Sequence, residues 1–359
     1  MEYKAYNINT FKALNKEKKF LPSKEIEEIE IASLVFPFKV NNYVLSLIDW
    51  DNYKDDPIFR LVFPQKEMLK EEDYKKLVNA LDDKEKLKKV VYEIRMSLNP
   101  HPAGQKQNVP EINGKKLEGS QHKYKETILF FPKQGQTCHA YCSFCFRWPQ
   151  FTGISELKFA SKEVEVLIEY IKKHETITDI LFTGGDPLVM SAKLLRAYIE
   201  PILKAKIPHL KNIRLGSKVL GFWPYRFVSD KDAKELLDLF KEIVDSGYHL
   251  AFMAHFNHYK ELETDIVKKA IQNIQNTGAI IRTQAPVLNH INASSDVWEK
   301  MWKMQVSLKM IPYYMFIPRD TGAKHYFEVS LYEAWNIYKN AIQNVSGLAR
   351  TVVRGPSMS

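Results

Sequence analysis

Three cysteines, Cys138, Cys142 and Cys145, are the whole thiol content of a 359-residue chain, and they lie within eight residues of one another. That is too few and too local for a disulfide framework. No run of 18 apolar residues occurs, so no membrane-spanning helix is expected. The opening MEYKAYNINTFKALNKEKKF has no apolar h-region, so no secretory signal is expected and the cytoplasm is the expected compartment. Helix-turn-helix spacing, a zinc finger and an RNP signature are all missing, which leaves nucleic acid an unexpected partner. The formal charge of +9 does not change this. The excess is diffuse, and its densest runs, Asn15–Lys19 and Lys84–Lys89, are broken by acids or apolar residues, as on a solvated basic surface.

What is present is enough apolar content, 45%, for a folded core. The length allows one large domain, or a medium domain with a smaller one. Residues 1–118 read as a helical region. Ile26–Val35 is a short amphipathic or buried segment closed by Pro37, WDNYKDDP is a polar turn, and Glu71–Asn99 carries two helical patterns, the second with Leu87, Val90, Val91, Ile94 and Leu98. A polar loop then runs to about Ser120. From 119 to 359 the pattern alternates between strands and helices. Expected strands are Thr127–Phe131, Asp179–Thr183, Asn212–Leu215, Leu250–Ala254, Ala279–Gln284 and Ile311–Phe316, with amphipathic helices between them. Six such units predict an α/β fold with a parallel sheet, either doubly wound or a partial barrel, with ligands at the C-terminal ends of the strands.

The cysteines follow the first expected strand in Cys138-His139-Ala140-Tyr141-Cys142-Ser143-Phe144-Cys145. Thiolates bind soft metals, and one short loop presents three of them to a compact cluster at little ordering cost. Three thiolates leave one iron of a four-iron cluster without a protein ligand. A Cys3His zinc site using His139 competes, although adjacent ring and thiol ligands are geometrically awkward and no second knuckle exists. Three unrelated buried thiols are the bland alternative.

Further chemistry-bearing residues stand where the later strands end. Thr183-Gly184-Gly185-Asp186-Pro187 closes the second strand, and its glycines would let a ligand approach the backbone; a plain tight turn is the alternative. Ser217 follows the third strand, His255 the fourth, and Gln284 ends the fifth. His255 and His258 are three apart, but the HxxxH spacing meets Tyr259, so no zinc pair is read there. Arg147, two residues beyond the last cysteine, suits a planar carboxylate through two parallel hydrogen bonds.

CxxxCxxC after the first strand resembles the signature of the radical S-adenosylmethionine (SAM) superfamily, and Phe144 before the last cysteine is also typical of it. HKYKETILFFPKQGQTCHAYCSFCFRWPQF, LFTGGDPLVMS, IRLGSK, AHFNH, RTQAPVLNHIN and PYYMF follow the order seen in the lysine 2,3-aminomutase family, and LSLIDWDNYKDDPIFRLVFP resembles that family's helical region. The resemblance runs from about residue 45 to the end. It implies a partial (β/α)6 barrel, a [4Fe–4S] cluster on Cys138, Cys142 and Cys145, and SAM on the open iron, cleaved to a 5′-deoxyadenosyl radical. It also implies SAM contacts from Gly184, Gly185, Asp186, His255 and Gln284, with Ser217 at the same edge. Arg147 would hold the carboxylate of an amino-acid substrate. A flavodoxin- or ferredoxin-type electron donor is implied, and a homo-oligomer is left open.

Two departures qualify the resemblance. The family holds pyridoxal phosphate (PLP) on a lysine in a glycine-rich stretch near the C-terminus, and no matching lysine is found before Ser359. The family's arginine pair for that cofactor falls on Lys123 and Thr127. PLP is therefore left open, either because the chain is truncated or because the cofactor is not used. The family's two aspartates for the distal ammonium of lysine fall on Arg319 and Arg354, with Asp320 able to replace the first after a one-residue shift. Exchanging anions for cations reverses the preferred charge of the ligand. The expected function is 2,3-amino migration on an amino-acid-like substrate other than lysine. The alternatives are a PLP-independent radical enzyme modifying a peptide or protein side chain, or a degenerate iron–sulfur binding protein.

Overall fold

In this computed structural model, residues 1–100, 107–153 and 159–352 are described, together with the backbone of 356–358. The helical N-terminal region begins with α1 (Ile8–Lys18) and α2 (Ser23–Val35), continues with α3 (Pro57–Val62), and ends in α4 (Glu71–Val78) and α5 (Lys84–Ser97). The WDNYKDDP turn is a 3-10 helix over Trp50–Asp55. The Asp56 carboxylate caps α3 by accepting the Ile58 and Phe59 N–H groups at 2.8 and 2.9 Å. An aromatic cluster of Phe11, Phe38, Phe59 and Phe63 fills this region, with Phe59 and Phe63 stacked at 4.6 Å. That cluster fixes the Phe38–Asn41 segment, which later proves to touch the cysteine loop.

The second region is a strand–helix alternation: β1 (Ser120–Tyr124), β2 (Thr127–Phe130), α6 (Val164–Lys173), β3 (Asp179–Phe182), α7 (Ala192–Ala205), β4 (Asn212–Ser217), α8 (Ala233–Asp245), β5 (His249–His255), α9 (Asp265–Gln275), β6 (Ile280–Pro286), α10 (Ser295–Ser307), β7 (Ile311–Ile317), α11 (Leu331–Gln343) and β8 (Pro356–Met358). These strands form one sheet in the linear order β8-β7-β6-β5-β4-β3-β2-β1. All neighbours from β2 to β8 are parallel, and β1 joins antiparallel. Neither edge meets the other, so this is an open (β/α) partial barrel preceded by a helical region, as the family resemblance implies, where the sequence pattern alone left a doubly wound sheet equally open.

Each helix presents one apolar stripe to the sheet. In α8, Leu236, Leu239, Phe240 and Ile243 are wholly buried, at the three- and four-residue spacing that one helix face requires. Ile180, Phe182, Ile213 and Leu215 are buried on neighbouring parallel strands. The hydrophobic core runs without a break from Phe11 through these strands to Ala341. Among the described residues, no helix is long and apolar enough to cross a membrane.

Two expectations shift. The loop expected up to Ser120 contains a small hairpin, Glu111–Ile112 with Lys115–Lys116, and β1 follows at once. The SQHKY sequence of β1 has no apolar alternation, and its pairing with β2 rests on the backbone. Strands β4 and β5 run further than their apolar cores, out to Ser217 and His255, because the ladder continues into polar residues.

Candidate active site

The cysteine loop leaves β2 through a single 3-10 turn, Lys133–Gly135, and crosses the C-terminal end of the sheet without regular structure. Its conformation is held from outside. The Tyr141 N–H donates to Lys39 O at 2.8 Å, and the Ser143 N–H to Leu61 O at 2.8 Å. The Ser143 hydroxyl donates to Arg60 O at 2.6 Å. Lys39 Nζ donates to Cys138 O at 2.7 Å, while Asn41 Nδ2 and the Tyr3 hydroxyl both donate to His139 O, at 3.2 and 2.8 Å. Satisfying the loop's own backbone groups in this way leaves the side chains free to be presented inward.

All three thiols are free. Each cysteine residue keeps some accessible surface, yet burial dominates its thiol. It pushes Cys145 up to about 11, partly offset by the backbone N–H and the guanidinium of Arg147. It raises Cys142 against the pull of Lys218, and raises Cys138 well above the usual thiol range with the Asp186, Cys145 and Cys142 charges adding to the shift. Among the described residues, no three His, Cys, Asp or Glu side chains converge on a point where one metal ion would sit.

The Gly184–Asp186 turn docks against the root of this loop. The Asp186 N–H donates to Thr137 O at 2.8 Å and to Gly135 O at 3.0 Å. A Cβ at Gly185 would stand 2.5 Å from Thr137 O and 2.6 Å from Thr137 N, both backbone atoms, and Gly184 has φ +144°. Only glycine tolerates these two positions. Asp186, 2% exposed, accepts from the Ser217 hydroxyl at 2.8 and 2.9 Å, from the Leu188 N–H at 2.9 Å and from the Lys218 N–H at 2.9 Å. Burial raises its carboxyl to about 6 despite these bonds. Asp186 and Ser217 thus tie the ends of β3 and β4 together, and the Ser217 oxygen also accepts the Val219 N–H at 3.0 Å.

Next along the edge, His255 and Gln284 are register partners on β5 and β6. His255 Nε2 is buried and has no hydrogen-bond partner. Burial and the nearby Lys218 charge hold the ring well below the usual histidine range, hence neutral. Phe144 of the cysteine loop meets the His255 ring edge-on at 5.8 Å. His258 faces elsewhere. Its Nδ1 accepts the Lys260 N–H at 3.2 Å, so it does not pair with His255 as a ligand set.

Arg147 is buried, 6% exposed, with its guanidinium over the Phe131 ring at 4.2 Å. Gln150 Oε1 accepts from both Nε and Nη2, at 3.2 and 2.6 Å, and Gln150 in turn donates to Gln136 Oε1. No carboxylate pairs with this arginine among the described residues. Burial lowers it to about 10, with Cys145 opposing the shift and Arg319 adding to it. Arg319 stands over the Phe146 ring at 5.2 Å, on the loop after β7. That loop is fastened by Trp148 Nε1, which donates to Thr321 Oγ1 at 3.1 Å. Asp320 is turned to the surface, where it pairs with Lys324 at 3.2 Å. Arg354 lies outside the described residues.

A second set of groups has no prominence in the sequence. Lys218 and Glu261 form a buried ion pair at 2.6 Å, and Lys218 Nζ also donates to Asn257 Oδ1 at 2.9 Å. Glu261 Oε2 accepts the N–H groups of Asn257 and His258, the latter at 3.0 Å, and so fixes the turn that follows His255. A Cβ at Gly221 would sit 2.4 Å from Glu261 Oε1. Lys218 is visible as the last residue of IRLGSK; Glu261, in a polar turn, carries no sequence signal of its burial.

Known proteins supply an independent comparison. No family model matches the chain. A protein of Aquifex aeolicus provisionally named L-lysine 2,3-aminomutase is 32% identical over 334 residues, covering 92% of this chain and 78% of that protein. The L-lysine 2,3-aminomutase of Methanococcus maripaludis is 28% identical over 363 residues, covering 99% and 73%. That of Acetoanaerobium sticklandii is 26% identical over 324 residues, covering 89% and 67%. Among solved structures, the radical SAM methyltransferase TsrM of Kitasatospora setae, with cobalamin and a [4Fe-4S] cluster bound, aligns over 53% of this chain and 36% of that one, with 12% identity and a TM-score of 0.34, too slight a likeness to carry weight. With the motif order, the partial barrel and relatives matched over most of their length, the chain belongs to the lysine 2,3-aminomutase family.

Proposed function

We propose that the chain is a radical SAM enzyme of aminomutase type, with the cluster on Cys138, Cys142 and Cys145 and SAM laid along the ends of β3 to β6. The donor set fits the cluster: three free thiols on one short loop match a four-iron cofactor that takes one thiolate on each of three irons. The orphaned His255 Nε2 beside Gln284 and the two obligate glycines fit a polar ligand lying along the sheet edge. When bound, the cluster and SAM supply reductive cleavage of the sulfonium, and with it hydrogen abstraction from an unactivated carbon.

The observation that carries the substrate side is Arg147. A buried guanidinium without a carboxylate partner is costly unless a ligand supplies one. Gln150 holds its Nε and Nη2 edge, which leaves Nη1 and the other Nη2 proton for a substrate carboxylate. Phe144 packs between His255 and Phe327. Arg319, close enough for its charge to be felt at Arg147, offers a second anion contact at the other end of the substrate. The reading is a dicarboxylic amino-acid-like substrate, with Arg147 on the α-carboxylate and Arg319 on the distal one. Arg354 is a further proposed contact, carried by its place in the sequence; Asp320, paired with Lys324 at the surface and of the wrong sign for a carboxylate, is not taken up. PLP stays open: Lys123, which stands where the family has one of its two arginines for that cofactor, is exposed beside the Tyr124 ring.

The test is isotope transfer. The anaerobically reconstituted protein is incubated with SAM and uniformly deuterated amino acids, and the 5′-deoxyadenosine formed is weighed by mass spectrometry. Deuterium should arrive from glutamate or aspartate in preference to lysine. Transfer from lysine alone would overturn the dicarboxylate assignment.

A further inference from the structure

Each thiol of the loop has a cation of its own. Cys145 has Arg147, whose backbone N–H and guanidinium both act on it. Cys142 has Lys218. Cys138 has Lys39, whose Nζ lies 2.7 Å from Cys138 O and 5.7 Å from the centre of the Tyr141 ring. The three differ in what else they do. Lys218 is neutralised by Glu261 at 2.6 Å. Arg147 is turned toward Gln150 and the proposed substrate position. Lys39 has no ion pair among the described residues, and its ammonium is placed by Cys138 O and the Tyr141 ring alone. Half-buried, it is an ammonium whose contacts both lie on the cysteine loop, at the end where Cys138 would carry charge as a cluster ligand.

The carrier of Lys39 is also unusual. It belongs to the N-terminal helical region, immediately before the two-residue strand Val40–Asn41, and its own carbonyl accepts the Tyr141 N–H at 2.8 Å. One residue therefore grips the loop twice, through its backbone at Tyr141 and through its side chain at Cys138. The backbone grip survives any change of side chain, which separates the role of the charge from that of the scaffold.

We propose that Lys39 is a positioning residue for the iron–sulfur cluster, holding the Cys138 end of the loop and raising the reduction potential by offsetting negative charge. This rests on the cluster being held by Cys138, Cys142 and Cys145. Reduction adds one electron and no proton, so the reduced cluster carries one more negative charge than the oxidised one. A fixed cation nearby favours the reduced form, and in a partly desolvated loop the effect is not fully screened. The N-terminal region is then part of the redox site, although all three cysteines come from the barrel.

The test uses the full chain reconstituted anaerobically with iron and sulfide, as wild type, Lys39→Met, Lys39→Gln and Lys39→Arg. Iron and sulfide content, the electron paramagnetic resonance spectrum of the reduced cluster, and the midpoint potential from titration with dithionite are read on each. At the wild-type midpoint, K39M should show a reduced-to-oxidised ratio lower by about tenfold, which is about 59 mV for one electron. K39R should restore the wild-type value. K39Q keeps a donor for Cys138 O without the charge, and it should shift as K39M does; it also carries the measurement if K39M loses its cluster. Unchanged midpoints in K39M and K39Q would overturn the role of Lys39 while leaving the cluster in place, and so would a shift in K39R as large as theirs. A wild-type protein that takes up no iron and sulfide would instead overturn the cluster assignment itself.

Discussion

The two sides of the site are finished to different degrees. On the strand side, Asp186, Ser217, Lys218 and Glu261 satisfy one another, while Asn257 uses its Oδ1 and leaves Nδ2 unpartnered: Asp186 takes three kinds of donor, and Glu261 takes an ammonium and two backbone N–H groups. On the loop side, three thiols are held by burial in a state unlike the thiolate, and among the described residues Arg147 has no carboxylate partner and His255 Nε2 has nothing to bond. Proteins rarely leave buried polar groups unsatisfied. The contrast separates scaffold from proposed binding surface: the satisfied network sets the positions of the strand ends, and the loop-side groups are where the proposed ligands would complete the structure.

This contrast can be broken most severely on the loop side. Replacing Cys142 by Ser should abolish the visible absorbance of the reconstituted cluster and all 5′-deoxyadenosine formation, with the apo-protein's thermal unfolding little changed. A brown, active C142S protein would remove the cysteine from the ligand set. The strand side should respond the opposite way. Glu261→Ala leaves Lys218 as an uncompensated buried charge and frees two backbone N–H groups, a loss of about 3–5 kcal/mol measurable by urea unfolding of the apo-protein. Adding Lys218→Met to it should recover part of that loss, because the stranded charge goes as well. A loss under about 1 kcal/mol in E261A, the range of exposed pairs, would show that the network is not the scaffold described.

Thiol chemistry sharpens the same distinction. A thiol at about 11, as at Cys145, is ionised to about one part in a thousand at pH 8, against about one part in four for a free thiol near 8.5. Alkylation of the folded apo-protein should therefore be slower than that of the urea-unfolded chain by about a hundredfold or more at pH 8. It should keep rising with pH past 9, since the thiolate, not the thiol, reacts. Equal rates would mean that the loop is open in the apo-protein. The smallest effect is expected at His255. His255→Ala removes an unpartnered nitrogen, so SAM affinity should fall about tenfold while apo stability changes by less than about 2 kcal/mol. Unaltered SAM binding by calorimetry would take His255 out of the ligand contacts.

What could be read from the sequence follows the same division. The strand–helix alternation, six of the seven parallel strands and the cysteine loop were legible because apolar period and residue spacing are local properties; the short β8, without an apolar run, was not. Ser217, His255 and Gln284 were also legible, as polar residues where apolar runs stop. The role of Asp186 was only partly so. Its place beside the ligand edge follows from the GGD turn, but its carboxylate is spent on Ser217, Leu188 and Lys218, a fact that depends on where β4 ends relative to β3. Strand β1 was missed because an edge strand of polar residues has no hydrophobic signature. Lys39, Glu261 and Gln150 were missed for a different reason. Each acts on the site through a contact that is set by packing of distant or irregular segments, and a lysine, a glutamate or a glutamine in a polar stretch looks like surface until its burial is known.

The central claim is that the Cys138–Cys145 loop holds a cluster that cleaves SAM. The most direct measurement is anaerobic reconstitution with iron and sulfide, reduction with dithionite, addition of SAM, and chromatographic quantification of 5′-deoxyadenosine against iron content. The account predicts about four irons per chain, with 5′-deoxyadenosine that appears only in the reduced sample. A protein that is fully loaded with iron and sulfide, is reduced, and releases no 5′-deoxyadenosine would contradict it.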